Sequence, residues 1–213
     1  YATFAMRWLI PRLRNFQDQH PEIDVRLTAS IQPIDFQSDD VHCAVRTGPD
    51  GWNPGVRIDR LYESYLVPVA SPTLASSDWP LRHPEDLKHA TLLHSLARPD
   101  DWRIWLEAAG VSDVDPDRGM KFETSTMAYL AAQQGLGVAI AQDFLVEEDL
   151  QRGSLVSVFD RKAKSDRTYY LLSSPRYVGT PSVEMFREWM LQELNASLKV
   201  SSRAEHPVAG PAQ

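Results

Sequence analysis

The sequence predicts an α/β fold with mainly parallel strands, because strand-like and helix-like segments alternate along most of its 213 residues. The clearest unit is residues 121–145, where a short strand, a run of hydroxyl residues, a helix with one apolar face and a buried apolar strand follow one another. Proline-rich sequence near Ser71 and a charged connector near Lys164 indicate that the chain crosses twice between two lobes. A ligand would then bind in the cleft between the lobes.

Composition restricts the classes of function. A hydrophobic content of 43% with 24% charged residues is typical of a globular protein. The net charge of −7 argues against nucleic-acid binding by this segment itself, because phosphate contacts need clustered Lys and Arg. The single cysteine, Cys43, suits a reducing compartment such as the cytoplasm, and its apolar surroundings predict a buried, inert thiol. No stretch approaches the roughly 18 apolar residues of a membrane span, so no membrane partner is predicted.

The first third of the chain predicts one helix and several strands. Residues 1–5 are typical of a strand end, and Thr3 is a candidate cap for the helix that follows. In that helix Pro11 is tolerated only within about the first turn. The apolar residues at helical spacing are Met6, Leu9, Ile10, Leu13 and Phe16. Strands are predicted at residues 23–27, 41–46, 56–61 and 64–70.

The remainder continues the alternation. Asp100 or Asp101 caps a helix that Gly110 closes, and Asp143 caps another through Leu150. Pro181 starts the last long helix. Further strands are predicted at residues 91–95, 155–159 and 168–172. The polar segment 199–213 is predicted to be disordered.

The hydroxyl residues Thr124, Ser125 and Thr126 are the first candidate for ligand binding. They open the central helix, and the free N–H groups at such an end bind anions and polar ligands. Residues of this type also cap helices without binding anything, and that interpretation stays open.

Arg46 and the tyrosine pair are further candidates. Arg46 ends a strand, where it would pair either with a carboxylate ligand or with a protein carboxylate such as Asp39 or Asp59. Tyr169 and Tyr170 are adjacent on a strand and therefore point to opposite faces, so one of them faces the cleft.

Motifs for catalysis and metal binding are absent from the sequence. The spacing of His83, His89 and His94, without accompanying cysteines, does not predict a metal site. There is no GxSxG, no HExxH and no glycine-rich phosphate loop, so neither an enzyme nor a bound cofactor is predicted.

Four phrases carry a resemblance to a known family: TFAMRWLIPRLRNFQDQHPEIDVRL, VASPTLA, DDWRIWLEAAG and FETSTMAYLAAQQGLGVAIA. They resemble the effector-binding domain of LysR-type transcriptional regulators, in the branch that contains the glycine-cleavage activator and the β-lactamase regulator. The resemblance covers about residues 1–194. It implies a two-lobed fold like that of type 2 periplasmic binding proteins. Residues 1–69 with 167–198 would form one subdomain and residues 70–166 the other, joined by a two-strand hinge.

The resemblance also implies partners and site residues. An N-terminal winged helix-turn-helix domain, absent from this chain, would bind DNA, and subunits would associate as a dimer or tetramer through residues 7–19 and 125–134. The effector would be a small molecule, namely an amino acid, a small carboxylate or a cell-wall peptide. The ligand-binding residues implied are Thr3, Phe4, Ser30, Gln32, Thr124, Ser125 and Tyr169, to which Arg46 is added from its place at a strand end. The alternative function is a periplasmic solute-binding protein of the same fold.

Overall fold

The computed structural model describes residues 1–30, 32–48, 52, 55–76 and 81–204 of the chain. The chain divides into two compact units. The first comprises Tyr1–Arg14, Arg26–Ile31 and Glu63–Thr168, and the second comprises Asn15–Val25, Gln32–Tyr62 and Tyr169–Gln213. Helices and strands alternate in the chain, which confirms the predicted α/β class. The subdomain boundaries implied by the resemblance stay a prediction.

The regular elements are numbered here in chain order. The strands are β1 (Cys43–Thr47), β2 (Arg57–Ala70), β3 (Leu92–Ser95), β4 (Met120–Phe122), β5 (Val138–Gln142), β6 (Val156–Ser157) and β7 (Ala163–Ser173). The α-helices are α1 (Ala2–Phe4), α2 (Ile10–Gln19), α3 (Pro72–Ala75), α4 (Asp101–Ala109), α5 (Ser125–Gln133), α6 (Glu147–Arg152) and α7 (Pro181–Ala204).

The first unit is built on a mixed sheet. The strand pairs β1–β7, β2–β5 and β2–β6 are antiparallel, so the prediction of mainly parallel strands is wrong. Strand β3 pairs in parallel with β4 on one side and with β5 on the other. Strand β5 also pairs with β2, in the antiparallel direction, and β6 pairs with β2. Because β3, β4 and β5 run in one direction, their carboxyl ends lie at a single edge of the sheet.

Helices cover both faces of that sheet. On one face Leu92 of β3 and Val138 of β5 belong to a core cluster that includes Trp102 and Trp105 of α4. On the other face α5 packs against β3 and β5, with Tyr129 fully buried. The alternation of side chains along each strand therefore assigns successive residues to the α4 side or the α5 side.

The second unit has two small cores. Strands β1 and β7 are antiparallel, and the apolar cluster on one face of this pair contains Phe36, Ala44 and Leu172. Elsewhere Phe16 contacts Phe186 edge-on, with ring centroids 5.3 Å apart. The indole N–H of Trp189 donates to Asn15 Oδ1 at 2.9 Å, so this core also satisfies its buried donor.

The amino-terminal segment differs from its prediction. Residues predicted as a strand end are helical from Ala2, and a π-helical turn, Ala5–Leu9, precedes α2. Pro11 consequently lies well beyond the first turn. A proline has no N–H for the usual ladder, and the π turn directly before α2 already interrupts that ladder. Separately, the Arg12 guanidinium donates to the Trp8 carbonyl at 3.1 Å. The extra residue per turn also changes the buried face, so that Trp8 is buried while Met6 and Ile10 are exposed.

Several other elements differ from prediction. Residues 23–30 form no strand among the described residues, so the strand predicted at 23–27 is wrong. The two strands predicted at 56–61 and 64–70 form the single strand β2. Asp143 does not cap α6; its carboxylate accepts from the Tyr65 N–H at 3.2 Å and it begins a separate 3₁₀ turn. Helix α7 continues to Ala204, so residues 199–204 of the predicted tail are helical, and residues 205–213 lie outside the described residues.

The central stretch matches its prediction closely. Strand β4, the Thr124 cap, helix α5 and strand β5 follow one another as expected. Gly135 closes the helix with φ +77°, in the left-handed region that favours glycine. The order of strand, turn, helix and parallel strand places the amino end of α5 at the carboxyl edge of β3, β4 and β5.

Candidate functional site

The amino end of α5 is the centre of the candidate site. Thr124 has extended backbone torsions, and its Oγ1 accepts the Met127 N–H at 3.4 Å. Its carbonyl accepts the Ala128 N–H at 3.3 Å. The amides of Ser125 and Thr126 precede these two and have no carbonyl within the helix to bond, so they are donors at a helix end with partial positive charge. The arrangement binds anionic or polar groups.

Ser125 is the buried hydroxyl of this site. It is the first residue of α5 and is 3% exposed. Its position at the carboxyl edge of the parallel strands is where ligands bind in open α/β sheets. The cap formed by Thr124 is real, so Thr124 has a structural role whether or not a ligand also contacts it.

Thr3 and Phe4 lie in the first helical segment of the same unit. Both are buried, and the Phe4 ring stacks on Trp8 with centroids 5.1 Å apart. Among the described residues no hydrogen bond joins Thr3 to Ser125. Because its ring stacks on Trp8, Phe4 contributes to packing of the first unit.

Ser30 and Gln32 lie on either side of the boundary between the two units. Ser30 is an exposed residue of the irregular segment in the first unit, and Gln32 is exposed in the second. The Gln32 carbonyl accepts from the Arg46 guanidinium at 3.4 Å. The structure therefore brings Gln32 and Arg46 together, through the backbone of Gln32.

Arg46 makes neither of the protein ion pairs considered for it. Its guanidinium donates to the Val45 carbonyl at 3.0 Å, and burial lowers its pKa. Asp59 instead pairs with Arg187, with N–O distances of 2.6 and 2.5 Å. Among the described residues no carboxylate pairs with Arg46.

Tyr169 and Tyr170 occupy opposite faces of β7. Tyr170 is paired across the ladder with Arg46 and packs against the apolar cluster of the second unit. Tyr169 is paired with Thr47 and is fully buried on the other face. Cross-strand partners share a face, so Arg46 and Tyr169 point to opposite sides of this strand pair.

A buried polar network was missed from the sequence. The Arg98 Nε donates to Asp101 Oδ2 at 2.7 Å, and its Nη2 donates to Asp101 Oδ1 at 2.9 Å and to Ser165 Oγ at 2.8 Å. Gln142 Nε2 donates to Asp101 Oδ2 at 3.3 Å. Burial raises the pKa of Asp101, and the Arg98 charge opposes this. In the sequence, this network is indicated only by the charged residues just before the predicted helix, and that pattern does not show that Arg98 and Asp101 are buried.

Other candidate sites are weaker. No group of three or more metal-binding side chains occurs among the described residues. Cys43 is half-buried, not buried as predicted. Its sulfur lies 3.7 Å from Ser173 Oγ, and partial burial raises the pKa of the thiol, in keeping with an inert cysteine. An open cavity of about 440 Å³ lies at the carboxyl end of α5, lined by Ser71, Thr73, Leu74, Gln133, Gln134 and Gly135. Among the described residues no helix is long and apolar enough to cross a membrane.

Comparison with known proteins identifies the family. The model of the LysR substrate binding domain matches residues 1–195. This chain belongs to that family. The LysR substrate-binding domain is regulatory, which confirms the prediction that the chain is not an enzyme.

The relatives of this LysR domain are transcriptional activators. The chain is 36% identical over 194 residues to the glycine cleavage system transcriptional activator of Escherichia coli K12, covering 91% of this chain and 63% of the relative. It is 34% identical over 192 residues to the HTH-type transcriptional activator AmpR of Pseudomonas aeruginosa, covering 90% of this chain and 63% of the relative. The chain thus spans just under two thirds of their length. These relatives favour a regulator over the periplasmic alternative.

A solved structure supports the same assignment. The effector domain of AmpR from Pseudomonas aeruginosa superposes with a TM-score of 0.78 at 32% identity, covering 93% of this chain and 94% of that one. The two-lobed binding-protein-like fold predicted for this LysR domain is thereby confirmed.

Proposed function

We propose that this LysR domain senses a small polar effector and that binding changes how a full-length regulator acts at its promoter. The observation that carries the proposal is the amino end of α5, where the buried Ser125 and two amides without helix partners lie at the carboxyl edge of three parallel strands. The activator relatives support the regulatory half of the proposal. Effector binding regulates only if one conformation or assembly binds the effector more tightly than the other.

The effector class and its other contacts are also proposals. An amino acid, a small carboxylate or a cell-wall peptide would suit hydroxyl and amide donors. Thr3, Ser125 and Tyr169 are the three side chains proposed to bond it.

The remaining parts of the regulator are proposed from the family. We place a DNA-binding winged helix-turn-helix domain in the full-length protein, and the protein in the cytoplasm, where its promoters are. The acidic balance of this chain, −7, supports a division in which another domain holds the DNA. Association of subunits would bring two DNA-binding domains together.

The decisive experiment uses the full-length regulator with its promoter. A thermal-shift screen of amino acids, small carboxylates and cell-wall peptides first selects a binder, which raises the melting temperature by mass action. The selected compound is then titrated while the DNA footprint and promoter output are measured. We expect both to change. A footprint and an output that stay constant at saturating compound would refute the proposed function.

Three substitutions test the proposed contacts. Thr3→Ala, Ser125→Ala and Tyr169→Phe each remove one hydrogen-bonding hydroxyl, worth roughly 0.5 to 1.5 kcal/mol. Each is expected to shift the effector concentration for half-maximal promoter response upward by about two- to tenfold. Ser157→Ala is the matched control, because that exposed hydroxyl bonds the Phe159 carbonyl at 3.0 Å. Unchanged responses in all three variants would remove these residues from the site.

A further inference from the structure

Ser95 is a buried hydroxyl at the end of a parallel strand. It is the last residue of β3 and is only 6% exposed. Its Oγ is buried and has no hydrogen-bond partner in the described part of the chain. Burying such a group without a partner costs free energy, so its presence needs an explanation.

The alternation along β3 determines where this hydroxyl points. Leu92 belongs to the core cluster on the α4 side of the sheet. Leu93 and Ser95 are one and three residues after Leu92, so their side chains point to the opposite face of the strand, the α5 side. Helix α5 packs on β3 over that face. Ser95, at the carboxyl end of the strand, is thus aimed into the layer that contains α5.

The amino end of α5 begins one strand away. Ser95 pairs with Phe122, the last residue of β4, and the Leu96 N–H donates to the Phe122 carbonyl at 2.7 Å. Three residues after Phe122 the helix starts at the buried Ser125. Thr126 Oγ1, in the first helical turn, is also buried and has no hydrogen-bond partner in the described residues. The Ser95 and Thr126 hydroxyls, both without a hydrogen-bond partner among the described residues, therefore lie near the same edge of the sheet.

The charge environment favours a single small anion. The helix end supplies partial positive charge and amide donors. The full charge of Arg98, which follows Ser95 in the same turn, is balanced by its two bonds to Asp101, and the half-exposed Asp166 carboxylate lies 3.9 Å from it. Glu123, the carboxylate between β4 and α5, is exposed, so water screens it. Neutral donors at a helix end match a carboxylate.

We propose that Ser95 is a ligand-binding residue whose hydroxyl donates to a carboxylate group of the effector at the amino end of α5. The inference rests on the proposed function and deepens it, because it adds a residue and selects the effector's chemical class. Ser95 leaves its hydroxyl unbonded in the free protein and bonds it when the carboxylate enters.

The test compares carboxylates with their neutral amides. Glycine, acetate and D-alanyl-D-alanine are titrated into the chain by calorimetry, beside glycinamide, acetamide and D-alanyl-D-alaninamide. We expect at least one carboxylate to bind at least tenfold more tightly than its amide. Ser95→Ala should weaken that carboxylate about tenfold, the loss of one hydrogen bond to a charged group. Ser157→Ala should leave the affinity unchanged.

The melting temperature without ligand separates a binding role from a structural one. Removing an unbonded buried hydroxyl should leave the melting temperature of Ser95→Ala equal to or above that of the wild type. A lower melting temperature would show that Ser95 supports the fold, and would overturn the inference.

Two other outcomes would also overturn it. Wild-type affinity in Ser95→Ala together with weakened binding in Ser125→Ala would remove Ser95 from the site while leaving the proposed function intact. A wild-type chain that binds none of the three carboxylates, or binds each no better than its amide, would overturn the carboxylate assignment. The promoter titration would still decide the proposed function independently.

Discussion

At the residue scale, the Arg98–Asp101 pair illustrates a buried charge that supports the fold. Both side chains are withdrawn from water, and each donor–acceptor distance between them is below 3 Å. A buried pair of this kind adds little beyond what an apolar pair would provide, but removing one member leaves the other charge without compensation. The contribution of the Arg98–Asp101 pair to stability is therefore measured mainly by removing one of its two members.

Asp101→Asn is expected to destabilise the chain by about 3 to 5 kcal/mol, because the buried Arg98 charge loses both of its short bonds to a carboxylate and keeps Asp166 only at 3.9 Å. Urea unfolding at pH 7 measures this. Asp117→Asn is the matched control, since Asp117 pairs with Arg103 at 2.9 Å on the surface, and its loss should cost under about 1 kcal/mol. Equal costs for the two variants would contradict the buried-pair interpretation.

Tyr129 predicts a pH dependence. It is fully buried, its oxygen accepts the Gln142 N–H at 3.2 Å, and burial raises its pKa above the ordinary value of a tyrosine. Because the folded pKa exceeds the unfolded one, this residue's contribution is complete below about pH 10 and is lost as the pH rises further.

Tyr129→Phe should therefore lower the free energy of unfolding by about 1 to 2 kcal/mol at pH 7, because the Gln142 N–H loses its acceptor. As the pH rises above about 10, the free energy of unfolding of this variant should fall less than that of the wild type. Urea unfolding at pH 7 and pH 10.5 tests both statements, with Tyr65→Phe, a partly exposed tyrosine of β2, as control. Parallel losses in wild type and Tyr129→Phe would contradict the pKa shift.

At the scale of elements, close backbone contact holds the parallel strands together. A Cβ on Gly137, just before β5, would lie 2.2 Å from the Thr91 carbonyl oxygen. The Val138 N–H bonds that same oxygen at 2.9 Å, so neither segment can retreat without losing the bond. This approach lies at the amino ends of β3 and β5 and fixes how closely the two strands pack.

Gly137→Ala should therefore destabilise the chain by about 3 kcal/mol or more through overpacking against backbone. Gly153→Ala is the comparison, because a Cβ at this position would have no atom within 4 Å. Only the backbone φ of +71° opposes this substitution, at a cost of about 1 kcal/mol. Thermal and urea unfolding measure both. A Gly137 variant no less stable than the Gly153 variant would refute the steric explanation.

At the scale of the whole molecule, exposed apolar side chains mark two helical segments proposed to mediate self-association. Met6 and Ile10 are 55% and 51% exposed, and Met127 and Leu130 are 49% and 56% exposed. Ile10, Met127 and Leu130 lie in the segments 7–19 and 125–134, through which the family resemblance implies that subunits associate, and Met6 directly precedes the first segment. Apolar surface of this kind is commonly covered by a partner.

Ile10→Glu combined with Leu130→Glu should raise the dimer dissociation constant at least tenfold, because each places a charge in an interface that excludes water. Sedimentation equilibrium measures it. Met185→Glu is the control, an equally apolar residue 39% exposed on α7. Dissociation constants that match the wild type would exclude these segments from the interface.

The sequence alone predicted the α/β class and the whole central stretch, because its strand, cap, helix and glycine stop are encoded by neighbouring residues. It also predicted the acidic, non-catalytic character of the chain. It failed for residues 23–27, whose alternation finds no partner strand, and for the face of the first helix, which the π turn rotates.

The candidate site divides in the same way. The hydroxyls around Ser125 were predicted, because a helix cap is a local pattern. Only the tertiary structure placed Ser95 beside them, separated Arg46 from Tyr169 on opposite faces of a strand pair, and buried Arg98. Pairing register and burial depend on segments distant in the chain, and no local pattern of residues contains that information.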